Sequence, residues 1–456
     1  MAMFHSPQIV TDGLALYLDA ANRKSTINAA PASVITSSGW TAGSGGITGF
    51  NQNGSTVENE RVLATDPWGN NSIVWETRPT GTTDADGGWN SDYFSIDRTK
   101  LYRFSVWVRR TSSTSGGTFY FGTGAGGQEV MRTDNGAEQG NPYWECEGTG
   151  VLTQNVWYLV CGHVYPYNTT YTGRHPDTGF FTIANGPSRV RDVNGCNIGN
   201  DLKWAPGSTS ALHRTYHYYC SDSTTRLQFA FPRVDICDGN EPSVNELLNN
   251  GPGSWRDLSG NNRTGTWYSP PSFTSAGPLS YFSTLSNRCT SAASNSFGIN
   301  NTSGYTIFLV CMQNALVSTG AFKFYSSGPY GRGIFTHCTW SDDRVYFDQG
   351  GCCGSDTRTD VNSGGSQTWN IWAFRRLTGS STRNIFKNGQ IIATNTNAAA
   401  DINLTSTGLD IGSSDEYGGN ASTWNARLNA FVVYNRGLTD DEVLQVFNAL
   451  RGRFSL

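Results

Sequence analysis

SWRDLSGNNRTG, residues Ser254 to Gly265, sets a Trp, an Asp and a Gly-Asn turn in a row, with no strand just before it to pair with. It reads as the continuation of something begun elsewhere. The segment that fits is near the other end of the chain: GLALYLDAANRKS, Gly13 to Ser25. There Leu14, Leu16 and Leu18 alternate with Ala15, Tyr17 and Asp19, the two-residue period of a half-buried strand. After Ser25 the pattern collapses into Thr, Ala, Ser and Gly. The chain closes on NAFVVYNRGLTDDEVLQVFNALRGRF, which reads as strand, turn and helix. Thr439 followed three residues later by Glu442 makes a capping box. Val443, Val446, Phe447 and Leu450 then form one apolar stripe, and such a helix needs a sheet to cover.

The 456 residues suit two or three domains. With 53 Gly, 14 Trp, 20 Tyr and 23 Phe against only 15% charged residues, the composition is that of many short strands joined by turns. The expected class is all-β, with helix confined to the C-terminus and to one or two turns in EPSVNELLNN. A net charge of −4 offers no basic field for nucleic acid and no polybasic patch for a membrane. No apolar run has the length of a membrane span. MAMFHSPQIVTDG lacks the charged and apolar regions of a secretory signal. The expectation is therefore a protein that acts inside a cell or leaves it by a route other than ordinary secretion. Of the ten cysteines, Cys161, Cys220 and Cys311 sit in strand contexts and read as small core residues. No Cys/His spacing typical of structural zinc occurs.

Taken in order, GLALYLDAANRKS, SWRDLSGNNRTG, RNIFKNGQIIAT, LDIGSS and FVVYNRGLTDDEVLQVFNALRGRF resemble successive pieces of a concanavalin A-like, laminin-G-type lectin domain. The form they are most similar to occurs in structural proteins of tailed bacteriophages, marine ones in particular. In that family the LYLDA strand is followed closely by the W-x-D-L-S-G-N turn. Here more than two hundred residues separate them, so the resemblance implies a lectin sandwich made of 1–29 and 251–456, interrupted by a guest domain at 30–250. Insertion into a surface loop is tolerated because the loop's two ends are neighbours in space. The alternative is two independent sandwiches in tandem.

Within the insertion, LYRFSVWVRR puts Tyr102, Phe104, Val106 and Val108 on one face and Arg103, Ser105, Trp107 and Arg109 on the other. GTFYFGTG, NVWYLVCGHVYP, RTYHYYCSD and RLQFAFPRVDI repeat the theme, with Pro232 marking the last of them as an edge or strand end. This is the pattern of a second two-sheet sandwich. The order ENERVLATDPWGNNSIVWET, FSVWVRR, FAFPRVDICDG is similar to jelly-roll carbohydrate-binding modules.

Catalysis finds no carrier. A retaining β-glucanase needs two carboxylates about 5 Å apart on one strand face, and the E-x-D-x-x-E strand that supplies them in such enzymes is missing. SDDRVYFD and SSDEYGG are acidic turns without an alternating partner, a sialidase-type Asp box is missing, and none of the six His sits with a Ser or Cys nucleophile. The expectation is a non-enzyme. For binding, sugars are held by aromatic faces with Asp, Asn and loop amides on the hydroxyls. On that chemistry the glycan-binding candidates are Trp107, Trp340, Asp415, Tyr417 and Asn420. Beside this stand the blander readings, which weigh more: Trp107 as core or subunit contact, and Gly412 to Ser422 as an ordinary solvated loop. No cofactor is expected. Asp342, Asp343, Asp415, and Asp235 with Asp238 offer oxygen ligands for Ca²⁺, but no spacing singles one out, so no metal site is assigned. The adjacent Cys352 and Cys353 are expected to stay thiols in a reducing cytoplasm.

The family resemblance implies a phage virion structural protein, a fibre, spike or decoration exposed on the particle. Its partners would be other virion proteins, further copies of itself and host surface glycans. A purely architectural spacer or joint is the alternative, and a glycan-active hydrolase the third reading.

Overall fold

The backbone of Arg256 donates to the Ser25 carbonyl at 2.5 Å, and the Ser25 hydroxyl donates back to the Arg256 carbonyl at 2.6 Å. Leu258 N–H reaches the Tyr17 carbonyl at 2.8 Å, and the Asp257 carboxylate accepts from the N–H groups of Tyr17, Ser259 and Arg263. The turn 256–263 thus clasps the strand Leu14–Asp19. In this computed structural model, residues 8–26, 33–82, 84–249, 251, 254–268, 272–285, 287–326, 333–412 and 424–456 are described. They belong to two compact units, one of Met1–Ala29 with Pro252–Leu456 and one of Ala30–Gly251.

The first unit is a sandwich of two antiparallel sheets, eight strands each among the described residues. One sheet is built around Ala426–Tyr434, which pairs with Leu14–Asp19, Tyr281–Ser283 and Tyr305–Gln313. The other runs from Ser254–Trp255 through Leu404–Ile411 to Arg358–Asn362. Their inner faces meet in an aromatic core, where Phe322 of one sheet lies 5.8 Å from Phe374 and 5.2 Å from Phe431 of the other. Trp255 of the opening motif is fully buried there, stacked 5.9 Å from Trp267.

The outer face of the first sheet carries the helix Asp440–Arg451. Its capping box is formed, and Val443, Val446, Phe447 and Leu450 are buried against Phe308, Val310, Ile371 and Val432. Just past the helix, Arg453 grips the fully buried Asp19 carboxylate with two bonds of 2.7 Å, and the Tyr17 hydroxyl adds a third at 2.8 Å. No helix among the described residues is long and apolar enough to cross a membrane.

The N-terminal strand departs from simple alternation. A register shift between Leu14 and Leu16 turns Leu14 toward the helix side with Tyr17, while Ala15, Leu16 and Leu18 enter the core between the sheets. A bulge does this by adding one residue opposite an unbroken partner strand.

The second unit is also a sandwich, with a ten-stranded and a six-stranded sheet among the described residues. Tyr102–Arg110 is central to the larger sheet, and its Tyr102, Phe104, Val106 and Val108 enter a core that includes Trp75, Trp89, Phe119, Phe121 and Trp144. The reading of Pro232 as an edge marker is corrected: Leu227–Ile236 lies between two neighbours, pairing with Tyr102–Arg110 and Asn71–Thr77. The proline sits in a bulge between Ala230 and Arg233, with Phe231 at φ 47°. Past that point the freed edge is taken by Val34, whose N–H donates to the Val234 carbonyl. A proline is harmless where the ladder already breaks.

Two outcomes are expected. Asp19→Ala, which strands the Arg453 guanidinium, should destabilise the first unit by about 3 kcal/mol in urea unfolding. At the helix start, Arg436 and Thr439 hydrogen bonds hold the Glu442 carboxyl down to about 2 from its ordinary 4.5. Glu442→Gln should therefore cost about 1 kcal/mol near neutrality. That difference should shrink as pH falls from 4.5 toward 2, because the wild-type carboxylate takes up a proton across that window.

Candidate functional site

The strand Ser210–Tyr218 of the second unit alternates strictly. His213, Thr215 and His217 point inward and are fully buried. His213 contacts the Ser105 carbonyl at 3.0 Å and His217 the Gly116 carbonyl at 3.0 Å. Burial lowers both imidazoles to about 4, so they serve as neutral core groups. The same alternation sends Arg214, Tyr216 and Tyr218 to the other face of the smaller sheet.

There they meet side chains from both neighbouring strands. Tyr216 is paired in register with Tyr120 on one side and Gly88 on the other, and Arg214 with Gly122 and Asn90. Tyr143, from the next strand, lies opposite Gly122. The result is a floor of five phenol rings. Tyr120 lies 5.0 Å from Tyr143, 5.6 Å from Tyr218 and 6.4 Å from Tyr219, and Tyr216 lies 6.0 Å from Tyr143 and 5.5 Å from Tyr218. The Arg214 guanidinium sits over the Tyr143 ring at 4.5 Å.

Polar groups pin this floor. The Tyr216 hydroxyl donates to Asn90 Oδ1, Tyr218 to Asn53 Oδ1 at 3.1 Å, and Arg214 Nε to the Thr123 carbonyl. Glycine keeps it open: a β-carbon at Gly122 would lie 2.4 Å from the Pro142 carbonyl and 2.7 Å from the Tyr143 ring. Tyr216 is nearly covered at 5% exposure, while Tyr219 stands 56% exposed at the rim and Tyr120, Tyr143 and Tyr218 are half-buried. Burial raises the phenols of Tyr120, Tyr143 and Tyr216, which keeps them protonated donors through the neutral range. A disulfide between Cys146 and Cys196 closes the edge beside this floor, with Cys146 opposite Tyr120.

The residues expected from sequence fare differently. Trp107 is corrected: at 2% exposure it offers no open face, because Trp68 packs on it edge-to-face at 5.4 Å, tied down by its own bond to the Leu248 carbonyl. Trp340 is half-buried, packed 4.5 Å from His337 at the head of the turn that holds Asp343. Asp415, Tyr417 and Asn420 lie outside the described residues. Within the second unit, Trp107 lies on the larger sheet and is not part of the tyrosine floor on the smaller one. That floor had a signal, the YHYY of RTYHYYCSD together with the central Tyr of TFYFG.

Among the calcium candidates, Asp235 is held by Arg103 at 2.9 Å and Arg233 at 2.7 Å, which removes it as a cation ligand. Asp342 accepts from Arg344 N–H and Tyr346, and Asp343 from the Ser363 hydroxyl, so both brace their turn. Cys352 and Cys353 are bonded to each other, correcting the expected thiols, whereas Cys161, Cys220 and Cys311 are free and buried as expected.

The first unit has a second aromatic surface. A shallow cavity of about 500 Å³ is lined by Met312, Gln367, Trp369, Lys387 and Phe454, with Trp369 and Phe454 4.9 Å apart. Lys387 is engaged there by the carbonyls of Ser363, Gly364 and Gly365.

No protein-family model matches the chain, and no curated protein does. Among solved structures, the binding domain of botulinum neurotoxin DC in complex with SialylT aligns at 14% identity over 43% of this chain and 48% of that one, with a TM-score of 0.31. The binding domain of Paraclostridial Mosquitocidal Protein 1 aligns at 16% over 42% and 48%, with a TM-score of 0.32. Domain 4 of AbnA, an extracellular GH43 arabinanase from Geobacillus stearothermophilus in complex with arabinotriose, aligns at 14% over 42% and 91%, with a TM-score of 0.33. This chain spans about half the length of the toxin structures, 48% in both cases. At such scores neither the fold nor the function depends on these likenesses.

Gly122→Val should push Tyr143 out of place, lowering stability by about 1–3 kcal/mol. The near-ultraviolet circular dichroism of the tyrosines should weaken in parallel.

Proposed function

We propose that this protein binds carbohydrate without cleaving it, and that the tyrosine floor of the second unit is the binding surface. The observation that carries the reading is the open row of Tyr120, Tyr143, Tyr218 and Tyr219 on one sheet face, with Arg214 and Asn90 beside it. Phenol faces stack on the C–H surfaces of sugars while hydroxyl, amide and guanidinium groups take their hydroxyls. Asn53 holds the Tyr218 ring and Asn90 the covered Tyr216 beneath the row, while the other rings pack on one another. Little ordering is then needed on binding.

In its finer form the proposal places the protein in the virion of a tailed phage, attached to other virion proteins and exposed to host surface glycans. Support for that form comes from the order of lectin motifs between Gly13 and the C-terminal helix. Several copies on one particle would turn a modest single-site affinity into firm attachment.

A glycan array probed with the full chain should give a discrete set of bound sugars. Tyr120→Ala and Tyr218→Ala should each weaken the strongest of these about tenfold, near 1.4 kcal/mol. Tyr216→Phe, which keeps the ring and removes a nearly covered hydroxyl bonded to Asn90, should change it far less. An array without a single bound glycan, together with failed particle assembly on deletion of the protein, would favour the architectural reading.

A further inference from the structure

Glu58 comes from a separate segment to meet Asp84 and Asp86, and one carboxylate oxygen from each of the three lies within 4.8 Å of the others. Glu58 is 4% exposed and Asp86 fully buried, while Asp84 is exposed at the mouth. Among the described residues, the hydrogen-bond donors to the three are neutral. Glu58 accepts from Ser55 N–H, the Ser55 hydroxyl and Thr80, Asp84 from the Thr82 hydroxyl, and Asp86 Oδ2 from Cys220 N–H at 2.7 Å. Among the described residues no lysine or arginine forms an ion pair with any of them.

The second oxygen of Asp86 is the telling atom. Oδ1 is fully buried and has no hydrogen-bond partner. A buried carboxylate oxygen without a donor, in a cluster without a cation, is one of the least favourable arrangements a fold can hold. A bound metal ion would supply both the missing partner and the missing charge.

We infer that Glu58, Asp84 and Asp86 form a calcium-binding site. The donor set is all oxygen, with no imidazole or thiolate in the cluster, which selects a hard cation. Three carboxylates brought together by the fold suit Ca²⁺, which gathers six to eight oxygens in flexible geometry, better than Mg²⁺, which keeps several of its waters and takes only one or two carboxylates.

The site is joined to the tyrosine floor through consecutive residues. Tyr218 bonds Asn53, Tyr219 N–H bonds the Asp84 carbonyl, and Cys220 N–H bonds Asp86. Calcium would therefore fix Tyr218 and Tyr219 at the rim of that floor. The metal site itself stands whatever the floor binds, because it is tested with the metal alone.

The full chain, stripped with EDTA, is titrated with CaCl₂ by calorimetry and with Tb³⁺ by luminescence sensitised from nearby tyrosine. One site with a dissociation constant on the order of 10⁻⁵–10⁻³ M is expected. Saturating CaCl₂ should raise the thermal midpoint, and MgCl₂ at the same concentration should raise it much less. Asp84→Asn, a change at an exposed position, should weaken Ca²⁺ at least about tenfold, the loss of one charged ligand. Asp86→Asn should abolish the calcium-dependent midpoint shift and raise the midpoint in EDTA. Wild-type protein that takes up neither ion would overturn the inference, as would calcium binding that both variants leave unchanged or a response to Mg²⁺ as large as that to Ca²⁺.

Discussion

The first sandwich depends on where the backbone of Leu14–Ser25 finds its partners. One edge of that strand belongs to Ala426–Tyr434, and the rest of the segment is satisfied by the turn 256–263. Asp257 is the hub, accepting three backbone N–H groups, one of them on Tyr17. Buried backbone groups have to be paired. Two stretches more than two hundred residues apart thus become one continuous piece of fold, and everything between Ser25 and Arg256 is left to fold by itself.

Both units then use the same economy. Each strand sends one set of residues inward, where large aromatics fill the space between sheets, and leaves the other set to be covered or displayed. In the first unit the outer set of the central strands is covered by Val443, Val446, Phe447 and Leu450 of the closing helix. In the second, Trp68 covers the outer face of the larger sheet at Trp107, while the outer face of the smaller sheet keeps its tyrosines on display. Which face is covered decides which aromatic residues are structural and which can meet a ligand.

That distinction explains what was legible in the residues. Local periodicity is enough for the all-β class, for the inward row Tyr102, Phe104, Val106 and Val108, and for the capped helix with its four apolar anchors. Register is harder, because one bulge reverses the faces. Leu14 falls on the other side from Leu16, and Pro232 sits in the middle of a sheet, for that reason. Contacts made by distant segments leave no local trace. Trp107 is hidden by a residue thirty-nine positions earlier, Cys146 finds Cys196, and Glu58 meets the neighbouring Asp84 and Asp86. The alternation of RTYHYYC was visible, but only the sheet pairing shows that its outer residues meet Tyr120 and Tyr143.

The tyrosine floor is built from neutral phenols and amides, with a single guanidinium among them. Stacking on such phenol faces draws little on any field that dissolved ions could screen, even with the carboxylates of Asp84 and Asp86 just beyond the rim. Contacts formed on it should hold as firmly in brine as in fresh water. The corresponding cost is kinetic, since without long-range attraction a partner arrives only by unsteered diffusion.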